Sequence, residues 1–440
     1  MTNIKVRFAP SPTGWIHIGN VRTALFNYLW TKKMGGTMLL RIDDTDVLRS
    51  KKEYEDGIYD ALNWLGIKWD EEARQSERVK RYDEVVEKLK AEGRIYACYD
   101  TPEELEFKRK RLMSRGLPPI YDRQALKYTP EDIERFKNEG RKPHYRFKLI
   151  DTDIVWEDEV RGVCKYDATK LSDPIIIRED GSYLYHLPSV IDDVDFGITH
   201  IVRGEDHVTN TAAQIQMFEA LGGKSPKFAH LPLLTGKEGK LSKRLGSLGI
   251  RELREAGIES MSICSFLAKL GTSEDIRTFY SLGELAETLD FNKIGRSQPK
   301  FDEEELKKFN TKLVHGMPYG ALKDNFGINE VFWEDVKGNL EVARDVLLWD
   351  NICNKEIEPI VEDKDFTVEA SDLLPKEDFN ENTFGNWMNE VKAKTGRKGK
   401  ELFHPIRMAL TAEANGPELK TLLPLIGYDK AYKRLRGQKA

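Results

Sequence analysis

Two short stretches hold residue types suited to phosphate chemistry. The first runs Phe8-Ala-Pro-Ser-Pro-Thr-Gly-Trp-Ile-His-Ile-Gly-Asn20. It follows an alternating, strand-like run over 4–8 and precedes apolar Val21, Ala24, Leu25, Tyr28 and Leu29 at helical spacing. That spacing predicts a helix over 21–34, stopped by Gly35-Gly36. Between strand and helix, Pro10, Pro12, Gly14 and Gly19 force a tight turn. A turn of this kind points backbone N–H groups and a helix N-terminus at whatever binds above the strand, which favours phosphate. His17 and Asn20 add neutral or cationic donors, and Gly19 lets a flat ring approach the backbone. Alone, His-Ile-Gly-Asn is too short to exclude chance. The second stretch, Lys240-Leu-Ser-Lys-Arg244, follows a glycine-bearing loop over 235–239. It reads either as a solvated basic turn or as two lysines bracketing Ser242, cations able to close on the charge of a triphosphate.

The elements that would position these stretches follow from periodicity. A second strand is predicted over 37–42, short, apolar and preceded by two glycines. Its end carries Arg41, Asp43, Asp44 and Asp46. Ligands of an open α/β sheet sit beyond the carboxyl ends of its strands, so these carboxylates are placed to take an amino group. The same residues also make good turn and N-cap chemistry. Helical patterns over 51–65 and 76–93 continue an alternation whose natural class is a nucleotide-binding α/β sheet.

From 96 to about 180 the alternation stops. Charged helices over 102–114 and 130–140 and short strands over 144–149 and 153–156 look like an insertion. The sheet is expected to resume with strands over 183–191 and 198–203, then a helix over 209–221. Tyr185 reads by default as a core aromatic of its strand. Arg203 ends an apolar strand and is followed by Gly204-Glu205-Asp206, so it wants an anionic partner at the ligand edge. Beyond the lysine loop, 247–271 is helical, and helices over 282–289, 302–312, 331–346, 379–395 and 417–426 follow. No strand pattern long enough for a barrel appears there.

Composition is that of an ordinary soluble protein, with 440 residues, 40% hydrophobic and 32% charged. Such a length suits two to four domains. No apolar run has signal-peptide or membrane-spanning length, which suggests a cytoplasmic protein with no membrane partner. Cys98, Cys164, Cys264 and Cys353 stand far apart, as reduced structural thiols do. A net charge of −5 argues against uniform coating of nucleic acid, yet 391–440 holds twelve Lys or Arg against four Asp or Glu. That local excess is the footprint of a nucleic-acid-facing region. Within it, Arg397, Lys398, Lys400 and Arg407 lie beside Phe403 and Pro405 at a helix start.

The two stretches, about two hundred residues apart, resemble the HIGH and KMSKS pair of class I aminoacyl-tRNA synthetases. Within that class, Arg7-Phe-Ala-Pro-Ser-Pro-Thr-Gly14, Arg41-Ile-Asp-Asp-Thr-Asp46 and Ile201-Val-Arg-Gly-Glu-Asp206 resemble the bacterial-type glutamyl-tRNA synthetases, over nearly the whole chain. The resemblance implies a Rossmann-type parallel sheet interrupted by an α+β insertion and followed by an all-α region. It divides the chain into catalytic halves 1–95 and 183–240, an acceptor-binding insertion 96–182, a loop and stem-contact region 241–320 and an anticodon-binding region 321–440.

The same resemblance implies ATP-dependent attachment of L-glutamate to tRNA-Glu by a monomer, and leaves open whether tRNA-Gln is also charged. ATP with Mg²⁺ would meet Pro10, Gly14, His17, Gly19, Asn20, Lys240, Ser242 and Lys243, of which His17, Lys240 and Lys243 are the catalytic candidates. Glutamate would meet Arg7, Ala9, Ser11, Asp43, Tyr185, Ser189 and Arg203. Two guanidinium groups suit a dicarboxylic amino acid. Three positions depart from the family pattern. Asp43 is a methylene shorter than the usual Glu, Ser189 replaces an Asn, and Cys98-Tyr99-Asp100 lacks the second cysteine of zinc-containing relatives. One cysteine cannot close a tetrahedral site, so no zinc is expected. The rivals are a glutaminyl enzyme, expected to lack Arg203 and to end in β-barrels, a short relative that glutamylates a tRNA base, and a non-catalytic tRNA-binding paralogue.

Overall fold

The structure, a computed structural model, describes residues 4–236, 249–322, 326–376, 379–380 and 382–440, together with the backbone of 239 and 240. The chain packs into two compact units, Met1–Leu253 with Cys264–Asp302, and Arg254–Ile263 with Glu303–Ala440.

The first unit is built on parallel strands. Strand β1 (Lys5–Phe8) leads through the proline–glycine turn into helix α1 (Ile18–Met34), and strand β2 (Thr37–Ile42) returns beside β1. Helix α2 (Lys52–Leu65) then leads to strand β3 (Glu71–Arg74), parallel to β2. The pattern had not shown β3, because Glu-Glu-Ala-Arg at a sheet edge carries no apolar alternation. Helix α3 (Val79–Ala91) follows.

Helix α1 begins three residues before the apolar pattern does, because His17 caps it. The His17 backbone is extended at φ −112° and ψ 169°, and its ring nitrogen Nδ1 accepts from the N–H groups of Gly19 (3.1 Å) and Asn20 (3.4 Å).

The insertion is α+β, as expected. Strands β4 (Ile95–Cys98), β5 (His144–Phe147) and β8 (Ile175–Ile177) form a small antiparallel sheet, with helices α4 (Pro102–Met113) and α5 (Pro130–Asn138) between β4 and β5. Strands β6 (Asp153–Asp158) and β7 (Gly162–Asp167) form a hairpin that joins the main sheet instead.

Where zinc-containing relatives have thiols, hydrogen bonds gather on Asp100. Tyr121 and Tyr128 hydroxyls donate to its two oxygens at 2.8 and 2.9 Å, and the Cys98 thiol lies 3.3 Å away. Burial pushes the Cys98 thiol up, away from the thiolate a metal needs. This donor set does not fit zinc.

The sheet resumes differently from the expectation. The segment 183–191 is not a strand: helix α6 (His186–Asp195) occupies it, with Tyr185 at its N-cap. Leu187, Val190, Ile191 and Val194 recur at helical spacing, and Pro188 falls in the first turn, where a missing N–H costs nothing. Strand β9 (His200–Gly204), helix α7 (Val208–Ala220) and strand β10 (Lys227–Leu231) complete the sheet. Strand β10 runs parallel to both β9 and β6. Strand β9 lies beside β1, where Thr199 N–H donates to Lys5 O at 2.9 Å. The order across the sheet is therefore β3-β2-β1, then β9-β10-β6-β7. The connections diverge on either side of the seam between β1 and β9, which makes the carboxyl ends of these two strands a topological switch point.

Past the lysine loop, the helix expected over 247–271 is two, Ile250–Glu255 and Ser260–Lys269, interrupted at Gly257 (φ +82°). In the second unit the helix expected over 331–346 ends at Val336, and another starts at Val346. The described remainder of that unit is helical, its core holding Trp333 and Trp387.

Candidate active site

The seam opens into a cavity of about 670 Å³. The turn after β1 is fastened to the segment after β2, since Asp43 N–H donates to Pro10 O and Lys51 N–H to Pro12 O, both at 3.0 Å. This brings Ala9, Pro10, Ser11 and Gly14 to one side of the cavity. His17, Gly19 and Asn20 line it from the start of α1. A Cβ at Gly19 would stand 3.0 Å from Cε1 of His17, so the first ring that this glycine admits is the imidazole of its own helix cap. With Nδ1 occupied as an acceptor, and with burial holding the ring neutral, His17 presents Nε2–H as a donor. The N–H groups of Gly19 and Asn20 are occupied by that cap.

The wall under β1 and β2 is a buried charge network. Arg41 Nε and Nη2 donate to the two oxygens of Asp43 at 2.6 and 3.1 Å. Its other amino group donates to Asp193 at 2.9 Å, and Ser189 Oγ accepts from Nη2 at 2.8 Å. Arg7 Nε donates to the same Asp193 at 3.2 Å. Beneath them, Asp192 accepts from Gln75, Arg78 and Tyr82. Burial pushes Asp43 up to about 6, against the pull of Arg41. Arg7, Asp43 and Ser189 all reach the cavity.

On the opposite wall, where Asp206 also lines the cavity, one arginine has no carboxylate in hydrogen-bond contact. Arg203, at the end of β9, is 6% exposed. Its Nη2 donates to Thr211 Oγ1 (2.6 Å) and Gln214 Oε1 (2.8 Å), and its Nε donates to His230 Nε2 (3.3 Å). All three acceptors are neutral. Burial, then repulsion from Arg7, lowers its pKa to about 10, which still leaves it a cation at neutral pH. Tyr185 reaches the cavity from the N-cap of α6 rather than from a strand, its hydroxyl 3.4 Å from His207 Nδ1 and pushed up to about 12 by burial.

Ser242, Lys243 and the side chain of Lys240 lie outside the described residues. In the second unit, Arg397 pairs with Asp363 at 2.7 Å and lies over the Phe366 ring, while Arg407 donates to Pro417 O at 2.8 Å. Lys398 and Lys400 are exposed. Among the described residues no cluster of three His, Cys, Asp or Glu is arranged to hold a metal ion, and no helix is long and apolar enough to cross a membrane.

The family described as tRNA synthetases class I (E and Q), catalytic domain, matches residues 3–308. The chain belongs to the class I tRNA synthetases. An anticodon binding domain family also matches this class I synthetase, over 364–438. It is 52% identical to a glutamate–tRNA ligase of Maricaulis maris, over 99% of this chain and all of that one. Its identity to a glutamate–tRNA ligase of Azospirillum brasilense is 50%, with both chains fully covered. Among solved structures it resembles a glutamate tRNA ligase of Elizabethkingia meningosepticum in complex with its amino acid, with TM-score 0.80, 27% identity and 98% of each chain covered. A class I synthetase uses ATP.

Sequence reasoning missed how the synthetase site is braced. Arg41 and Asp193 were visible as charges ending apolar runs, but their meeting across 152 positions was not. Thr211, Gln214 and His230 gave no signal beyond their place near Arg203. A histidine inside the apolar run 228–234 was the one irregularity available.

Proposed function

We propose that this chain attaches L-glutamate to tRNA-Glu in two steps. In the first, a carboxylate oxygen of glutamate attacks the α-phosphorus of ATP, giving glutamyl-adenylate and releasing pyrophosphate. In the second, a ribose hydroxyl of the terminal adenosine attacks the acyl carbon, its proton is lost, and AMP leaves. The observation that carries the choice of substrate is Arg203, a buried cation at the cavity whose protein acceptors are all neutral. A side-chain carboxylate completes it, whereas the amide of glutamine leaves the charge unanswered.

The remaining roles follow from position. Asp43, ionised at neutral pH, attracts the substrate ammonium, and Arg7, Ala9, Ser11, Tyr185 and Ser189 border the same space. Pro10, Gly14 and Gly19 shape the nucleotide side, where His17 Nε2–H and Asn20 face the phosphates and ribose. Lys240 and Lys243, with Ser242 between them, close on the β- and γ-phosphates, and Mg²⁺ comes with the ATP. Catalysis then consists of positioning and charge stabilisation, with no covalent enzyme intermediate. The insertion 96–182 grips the acceptor end, and Arg397, Lys398, Lys400 and Arg407 belong to the surface that meets the anticodon arm. The reading carries with it a monomer at work in the cytoplasm.

Charging of purified tRNA-Glu with glutamate and with glutamine tests the proposal, together with ATP–pyrophosphate exchange. Wild-type protein is expected to take glutamate. Arg203→Ala should narrow its preference over glutamine by roughly 2–5 kcal/mol, as losing a desolvated charge pair does. An Arg203→Ala enzyme with undiminished preference overturns this account of the site.

A further inference from the structure

Arg203 belongs to a row of three side chains on adjacent strands. His230 on β10 stands opposite Arg203 on β9 in the parallel register, and Asp158 ends the neighbouring strand β6. His230 is fully buried and Asp158 nearly so. The imidazole bridges the other two, with Nδ1 against Asp158 Oδ2 and Nε2 facing Arg203 Nε at 3.3 Å and Thr211 Oγ1 at 2.9 Å.

Donor and acceptor capacity fixes the proton. A guanidinium Nε can only donate, so Nε2 of His230 must offer its lone pair. The ring proton then sits on Nδ1, directed at the carboxylate. Burial and the nearby Arg203 charge lower the imidazole pKa, which keeps the ring neutral. Asp158 is anchored on its other side, where Oδ1 accepts from the N–H groups of Val160 (3.1 Å), Arg161 (3.0 Å) and His230 (3.2 Å). Against the burial that would raise its pKa, the contact with His230 and these N–H groups keep it lowered and ionised.

We infer that Asp158 and His230 are positioning residues that hold the Arg203 guanidinium in its substrate-facing orientation without neutralising it, and so sharpen the choice of glutamate over glutamine. A carboxylate directly on Arg203 would also orient it, but would cancel the charge that the substrate has to meet. Placing the carboxylate one imidazole further away keeps the orientation and spares the charge. The inference rests on the assignment of Arg203 under the proposed function.

The test is Asp158→Asn, nearly the same in shape. The three N–H groups keep the amide oxygen on their side, which turns the NH₂ group toward Nδ1. His230 must then carry its proton on Nε2, where it opposes Arg203 Nε–H. The glutamate KM is expected to rise roughly tenfold to a hundredfold, as misplacing a substrate clamp does. The ATP KM should stay near wild type, and the preference over glutamine should narrow.

A folded Asp158→Asn protein with wild-type glutamate KM and preference overturns the inference. So does a proportional loss toward glutamate and ATP alike, which would make Asp158 a staple of the hairpin and nothing more. Should the variant not fold, ¹⁵N spectra of the wild-type protein, with His230 assigned by its absence in His230→Gln, decide the matter. An unprotonated Nε2 supports the relay and a protonated one refutes it. If Arg203→Ala keeps its preference, the assignment of the site itself fails. If Arg203→Ala loses the preference while Asp158→Asn retains it, only the relay fails.

Discussion

The two walls of the cavity treat arginine in opposite ways. Under β1 and β2, Arg7 and Arg41 are matched with Asp43 and Asp193, so their charge is answered within the protein. Under β9, Arg203 is held as firmly, but by a hydroxyl, an amide oxygen and an imidazole nitrogen. Both arrangements satisfy hydrogen bonds in a dry environment. Only the second leaves a guanidinium at the cavity with no carboxylate in direct contact. On the proposed reading of this class I site, that distinction separates the side chains that build the pocket from the side chain that reads its occupant.

The comparison breaks most visibly at Asp193, which answers two arginines at once. Asp193→Ala should cost about 3–5 kcal/mol of stability in urea unfolding of the first unit's transition, the loss expected when one member of a buried charge network is removed. A change below about 1 kcal/mol would mean that this wall is not ion-paired in solution.

Next in size is Lys243→Ala. It should slow ATP–pyrophosphate exchange by a factor on the order of 10²–10³, the loss typical of one preorganised charge contact. The glutamate KM should hardly move. An intact exchange rate removes Lys243 from the transition state.

Asp43 sharpens the comparison through pH. Because burial raises its folded pKa from 3.8 to about 6, the folded state takes up the proton first. Its contribution to stability is thus fully present below about 4 and lost as pH rises through about 6. Substrate binding runs the other way. As pH falls through about 6 the carboxylate loses its attraction for the ammonium, so the glutamate KM should climb. Asp43→Asn should have a raised KM and lack this acid limb. A limb of unchanged size in that variant assigns it to another group.

The smallest effect belongs to an ion pair of the same chemistry in water. Lys5 and Glu71 meet at 2.7 Å, with the Glu71 side chain 45% exposed. Glu71→Gln should change stability by no more than about 1 kcal/mol. A loss as large as that of Asp193→Ala would show that burial is not what separates the two.

What the sequence made legible was local. Strands β1, β2 and β9 and helix α7 each carry their apolar spacing on one short segment, and the turn at 9–17 carries its own prolines and glycines. The misreading at 183–191 came from an apolar run too short to tell a strand from a helix by period alone. The edge strand β3 was invisible because it buries little. Among the site residues, Arg7, Asp43 and Arg203 announced themselves as charges where apolar strands end. Their assignment to structure or substrate did not, because it depends on Asp193, Thr211, Gln214 and His230, whose contacts are set by the packed sheet. No spacing rule links Asp158 to Arg203 across 45 positions.

His17 has a consequence for how the motif tolerates change. One imidazole edge terminates a helix and the other faces the cavity, so on the proposed reading a single codon serves both folding and ligand contact. A replacement that keeps only the outward donor unravels the first turn of α1, and one that keeps only the cap leaves the cavity a donor short. Burial lowers the pKa of this ring and its Nδ1 lone pair is occupied, so it stays neutral at neutral pH. Histidine serves here as a rigid, two-ended connector.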